Sequence, residues 1–173
     1  MNFSSSRNIY IRRAVTAGLV FVTALFQHTG LIPELFGAPA MALIPLTVCI
    51  AMFERSIPGM YFGVLAGILC DFATVRGDGF FSVLLTVTGF AAGALVTFIF
   101  RNNIGSALII SSASLLMCSI SHWLIFIVRK GYDGAFQLLF TRYLPSVAYS
   151  LIFVFVYYYI MRFIFRTASE NSK

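Results

Sequence analysis

The sequence predicts an all-α integral membrane protein of six transmembrane helices packed in a single domain, and three observations carry that expectation. Sixty per cent of its 173 residues are hydrophobic and 10% are charged, whereas a soluble domain is roughly half apolar and about a quarter charged. The apolar residues gather in runs near the ~20 residues that cross a bilayer's hydrocarbon core. Short segments of Gly, Pro, Asn and charge separate those runs, so the length accommodates about six crossings and leaves no separate soluble domain.

The first helix is expected over 9–30, where Gln27, His28, Thr29 and Gly30 mark a wetter end. Arg7, Arg12 and Arg13 ahead of an apolar run, with Ala38-Pro39-Ala40 downstream, resemble a signal peptide, but an uncleaved helix is the expectation. After a Pro- and Gly-containing loop, the second segment, 40–53, is short and contains Pro45; such a proline is tolerated where neighbours satisfy the freed carbonyl. Glu54-Arg55-Ser56 makes a tight polar turn, and Pro58 then opens a third helix, 58–75, where the first turn accepts proline. Arg76-Gly77-Asp78-Gly79 is a turn by composition, followed by a fourth helix over 80–100 and a fifth over 104–128. Tyr132, Phe136 and Phe140 recur every four residues, which allows a short interfacial helix over 132–141. The sixth helix, 143–165, has Pro145 in its first turn, and the polar tail 167–173 is expected to be disordered.

The net charge of +6 reads as topology, because no basic helix or aromatic-basic interleaving resembles a nucleic-acid module. With the N-terminus inside, the cytoplasmic side carries Arg7, Arg12, Arg13, Arg55, Arg101, Arg162, Arg166 and Lys173, eight cations, against four outside, Arg76, Arg129, Lys130 and Arg142. Cytoplasmic loops are enriched in Lys and Arg, which also meet anionic lipid, so both termini are expected in the cytoplasm. Cys49, Cys70 and Cys118 sit inside apolar runs without metal or redox spacing, and are expected to be small buried thiols.

Gly59, Gly63 and Gly67 repeat every four residues, Asp71 extends the spacing, and Gly89 and Gly93 form another Gly-x-x-x-Gly. Such ridges let helices approach closely, so these six residues are candidates for helix packing or partner contact. The fifth helix adds a stripe of Ala107, Ser111, Ser114, Cys118 and His122, and a tight core of the third to fifth helices follows as the expectation. Asp71 is the most informative polar residue, because a carboxylate ending an apolar run needs partners, a cavity or water. Arg76, His122 and Arg142 are outer-side polar candidates. Ser119, Ser121 and His122 are too close on one helix to converge as nucleophile and base. Neither catalytic, metal nor cofactor motifs appear, so no enzyme, metal or cofactor is expected.

Gly63 to Asp71, then Gly77-Asp78-Gly79-Phe80-Phe81, then Gly89-Phe90-Ala91-Ala92-Gly93 resemble the rod shape-determining protein MreD family over about 30 residues. That resemblance implies a nonenzymatic subunit of the bacterial elongation machinery in the inner (cytoplasmic) membrane. It would bind MreC and, more loosely, the glycosyltransferase, the class B transpeptidase and the bacterial actin MreB. Length and layout also resemble the substrate-binding subunits of energy-coupling-factor vitamin transporters, which implies as an alternative a small-molecule pocket open to the outside. Fold alone does not transfer function between the two.

Overall fold

The computed structural model describes residues 3–30, 40–73, 79–100, 102–128 and 135–170, and among these every regular element is helical. The elements are α1 (Phe3–His28), α2 (Leu43–Glu54), α3 (Ser56–Ala73), α4 (Phe80–Phe98), α5 (Ile104–Phe126), α6 (Ala135–Leu138) and α7 (Leu144–Glu170), with a π-helical turn, Leu139–Tyr143, joining α6 to α7.

Four stretches are long and apolar enough to cross a membrane: Ile9–His28, Phe80–Phe98, Ile104–Phe126 and Phe136–Thr167. By length and composition the chain is a multi-pass membrane protein. The other two of the six expected crossings are shorter apolar helices, Leu43–Glu54 and Ser56–Phe72. At ~1.5 Å per residue the 12 residues of α2 reach about 18 Å, short of a ~30 Å hydrocarbon core.

That short helix is the centre of the packing. α2 touches α1, α3, α4, α5 and α7, and Leu43 through Met52 are all buried. A helix that is apolar on every face has no surface to offer water and is stable only when enclosed. The core therefore sits around α2. Its Pro45 falls in the first turn, because the helix begins at Leu43, where a missing N–H breaks no bond within the helix.

Burying a helix start leaves N–H groups that must be paired inside the protein. α2 has no side-chain cap of its own at Ala42. Instead the Leu43 N–H donates to Gln27 Oε1 of α1 at 3.1 Å, and the Met41 N–H donates to Ser150 Oγ of α7 at 2.9 Å. Neighbouring helices supply the caps that the local sequence lacks.

α6, the π turn and α7 form one unbroken helical path from Ala135 to Glu170. The expected interfacial helix and sixth helix are thus continuous, and residues 132–134 lie outside the described ones. Pro145 accounts for the π turn between them: it donates no hydrogen bond and its ring crowds the carbonyl four residues back. The Leu144 N–H reaches five residues back, to the Leu139 carbonyl, which widens the helix at that point. α7 continues through part of the tail expected to be disordered, as far as Glu170.

The expected core of third, fourth and fifth helices is corrected in one respect. α3 and α4 pack intimately, but α5 lies mainly on α7 and α2 and touches α4 little. On its small-residue stripe Ala107, Ser111 and Cys118 are buried, while Ser114 and His122 are half-buried.

Candidate functional site

The closest helix contact is the antiparallel seam between α3 and α4. The five glycines of the four-residue repeats, Gly59, Gly63, Gly67, Gly89 and Gly93, all lie in it. A Cβ built on Gly59 would come within 2.7 Å of Ala51 Cβ and 2.9 Å of the Gly89 carbonyl oxygen. One on Gly63 would strike the Leu85 carbonyl, one on Gly67 the Ser82 Cα, and one on Gly89 the Gly59 carbonyl. At Gly93 it would fall 2.6 Å from both Ser56 Cα and Ser56 N. The obstacles are almost all backbone atoms, which cannot rotate aside. The two helices meet main chain to main chain, and each glycine is there because any side chain would hold them apart.

Asp71 closes one end of this seam. α4 is preceded by Gly79, which has φ +69° and supplies no side-chain cap; the left-handed conformation there suits glycine. The Asp71 carboxylate, nearly buried at 7% exposure, takes over from across the seam. Phe81 N–H donates to Oδ1 at 3.0 Å, and Ser82 donates to Oδ2 through both its N–H, at 2.8 Å, and its hydroxyl, at 2.5 Å. A negative charge at a helix N-terminus also meets the positive end of the helix dipole. The carboxylate is thus held by the start of the next helix. Arg76, the first of the outer-side polar candidates, lies outside the described residues.

Of the remaining outer candidates, His122 stands beside this cap. Its Nδ1 is 2.8 Å from the Tyr143 hydroxyl, and its ring is stacked on Phe81 at 5.7 Å and lies 4.6 Å from Phe126. Phe81 therefore touches both groups, with its N–H on Asp71 and its ring on His122. Arg142, next to Tyr143, is exposed. The structure brings Asp71 and His122 to the same end of the molecule and leaves Arg142 at its surface. Ser119, close to His122 in the sequence, points elsewhere: its hydroxyl faces Met41 Sδ at 3.8 Å.

The opposite end holds a site that sequence reasoning misses. Glu54, the last residue of α2, is 6% exposed, and its Oε1 lies 2.8 Å from Arg12 Nε while its Oε2 lies 3.7 Å from Arg13 Nε, both on α1. The Arg12 guanidinium also sits 4.2 Å above the Phe165 ring of α7, and Phe165 packs on Phe53 at 5.2 Å. A buried carboxylate needs such pairing to be tolerated at all, and here the pairing ties three helices together. In the sequence Arg12 and Arg13 read only as orienting charges and Glu54 only as part of a turn. A lone carboxylate ending a short apolar segment is the available signal, but its partner lies 42 residues away.

Arg55 completes the α2–α3 junction with φ 75° and ψ −176°, a backbone region almost reserved for glycine. This one-residue link lets α3 fold straight back, and its Arg55 and Ser56 backbone rests on Gly93.

Among the described residues no three His, Cys, Asp or Glu side chains gather as a metal site. No family model, curated protein or solved structure matches this chain.

Proposed function

We propose that this chain is a nonenzymatic membrane scaffold of the bacterial cell-elongation machinery. On this reading it is of the MreD type, lies in the inner membrane with both termini cytoplasmic, and binds MreC to help organise lateral peptidoglycan synthesis. The observation that carries the reading is the α3–α4 seam. Its residues, Gly59 to Gly93 with Asp71, include those in which the sequence resembles that family, and they join two helices backbone to backbone. A pair held this closely moves as one body. Outward it presents Ile57, Tyr61, Leu65, Ile68 and Phe72 of α3 and Val83, Val87 and Phe90 of α4, all exposed.

A scaffold of this kind acts by differential binding, favouring the arrangement of partner helices that it fits best. The glycines serve the seam, and the outward apolar faces serve partners such as MreC. The elongation glycosyltransferase, the class B transpeptidase and the bacterial actin MreB are more distant associates on this reading. Co-purification with MreC in mild detergent tests it. Recovery of MreC with the native chain, and its loss when Tyr61 and Leu65 are both replaced by Ala in a folded variant, is the expected result. Absence of MreC from the native preparation, with rod shape intact on depletion, overturns it.

One observation favours the second reading, a vitamin-binding subunit of an energy-coupling-factor type transporter. Ala14 and Gly18 lie exposed on α1, with no atom within 4 Å of a Cβ built on Gly18, leaving a small-residue face on which another membrane module can dock. Native mass spectrometry of the purified chain separates the readings: a retained vitamin supports the transporter subunit, and none is expected of a scaffold.

A further inference from the structure

The end of the molecule that encloses Glu54 also collects arginines from two helices, α1 and α7, and from the α2–α3 link. Arg12 and Arg13 reach Glu54 from α1, and Arg55 follows Glu54 directly in the chain. The stacking of Arg12 on Phe165 draws in the turn of α7 that carries Arg162, three residues earlier and so on the same side of that helix. Arg55 and Arg162 are exposed, and the Arg13 side chain is 46% exposed. The Glu54 side chain, at 2%, is shut away behind Arg12. Two guanidinium groups therefore hold one enclosed carboxylate, and the exposed side chains of Arg55 and Arg162 add positive charge to the same end of the molecule. At the opposite end Arg142 is the one arginine or lysine among the described residues.

The apolar spans set this cluster at a defined depth. The first begins at Ile9 and the last ends at Thr167, so Arg12, Arg13 and Arg162 lie just inside the span ends, from where a long arginine side chain extends outward to the lipid phosphates. Guanidinium forks match phosphate oxygens in pairs. Arg55, moreover, holds its position in a backbone conformation that glycine would adopt without strain.

We propose that Arg13, Arg55 and Arg162 form a binding site for the phosphate headgroup of an anionic phospholipid, with the Arg12–Glu54 pair as its inner wall. The site requires only a membrane location and stands or falls independently of the elongation-scaffold reading.

The test uses the full chain purified in neutral detergent and exposed to equal amounts of phosphatidylglycerol and phosphatidylcholine, with bound lipid read by native mass spectrometry. The native chain is expected to retain phosphatidylglycerol in preference. At the usual contribution of a membrane-surface arginine, R55Q with R162Q together weaken that binding roughly thirtyfold, and R162Q alone about fivefold. The single variant carries the test should the double fail to fold. R142Q, at the far end, is expected to bind as the native chain does. Equal retention of both lipids by the native chain overturns the site, as does undiminished binding by R162Q. A loss in R142Q equal to that in R162Q also overturns it, because it marks a diffuse field. Displacement by an equal concentration of glycerol 3-phosphate overturns the lipid assignment.

Discussion

Replacing Asp71 separates a structural role from a contact role at the residue that the sequence marks most strongly. In Asp71→Ala, Phe81 N–H, Ser82 N–H and the Ser82 hydroxyl all lose their acceptor. A hydrogen bond to a charged group contributes about 1.5–3 kcal/mol, and losing an N-cap alone costs about 0.5–2 kcal/mol. The three donors belong to one helix start and partly rehydrate together, so their losses do not add, and about 3 kcal/mol is the expected net destabilisation. Asp71→Asn keeps one acceptor oxygen and should lose about half as much. Equilibrium unfolding in mixed micelles of dodecyl maltoside and SDS measures both. Combining Asp71→Ala with Ser82→Ala should recover about 1 kcal/mol relative to the sum of the single changes, since one removed hydroxyl no longer needs its partner. Should Asp71→Ala unfold within about 0.5 kcal/mol of the native chain, the capping argument fails. MreC association lost without any change in stability would make Asp71 a contact residue.

Three further outcomes follow from the same structure. Gly63→Val should cost more than about 3 kcal/mol or prevent folding, because a Cβ there meets the Leu85 backbone, whereas Gly18→Ala, with open space around it, should be neutral or gain up to about 1 kcal/mol; unfolding midpoints of the two variants check the contrast. Glu54→Ala strands Arg12 against Phe165 and should cost toward the low end of the ~3–5 kcal/mol typical of a broken buried pair. Removing Arg12 as well should restore part of that loss in a double-mutant cycle. Arg55→Gly relieves the strained α2–α3 link and should raise the thermal midpoint by the equivalent of about 1–2 kcal/mol, read by thermal unfolding in detergent.

The glycine ridges are legible in the sequence alone, because a repeat of four residues places side chains on one face of a helix whatever lies opposite. What receives them is not. Gly63 meets Leu85 and Gly67 meets Ser82, and that register is set only where the two helices pack. Asp71 is legible as a residue in need of partners, since a carboxylate at the end of an apolar run cannot be left unsolvated. That its partners are the first N–H groups of α4 follows only from the packing. The outer candidates divide on the same ground: His122 acquires Tyr143 from 21 residues away, while the neighbouring Arg142 stays at the surface.

Hydropathy by itself determined that the chain is helical and crosses a membrane, because a run of apolar residues in lipid must satisfy its own backbone and the helix does so locally. Tertiary structure alone decided which helix is central. α2 is the shortest of the expected crossings, yet five other helices enclose it, its N-terminal end is capped by Gln27 and Ser150, and its final carboxylate is paired with Arg12. Local periodicity records what a segment needs, an apolar surrounding or an acceptor. The groups that meet those needs lie 16, 42 and 109 residues away in the chain, and only folding brings them together.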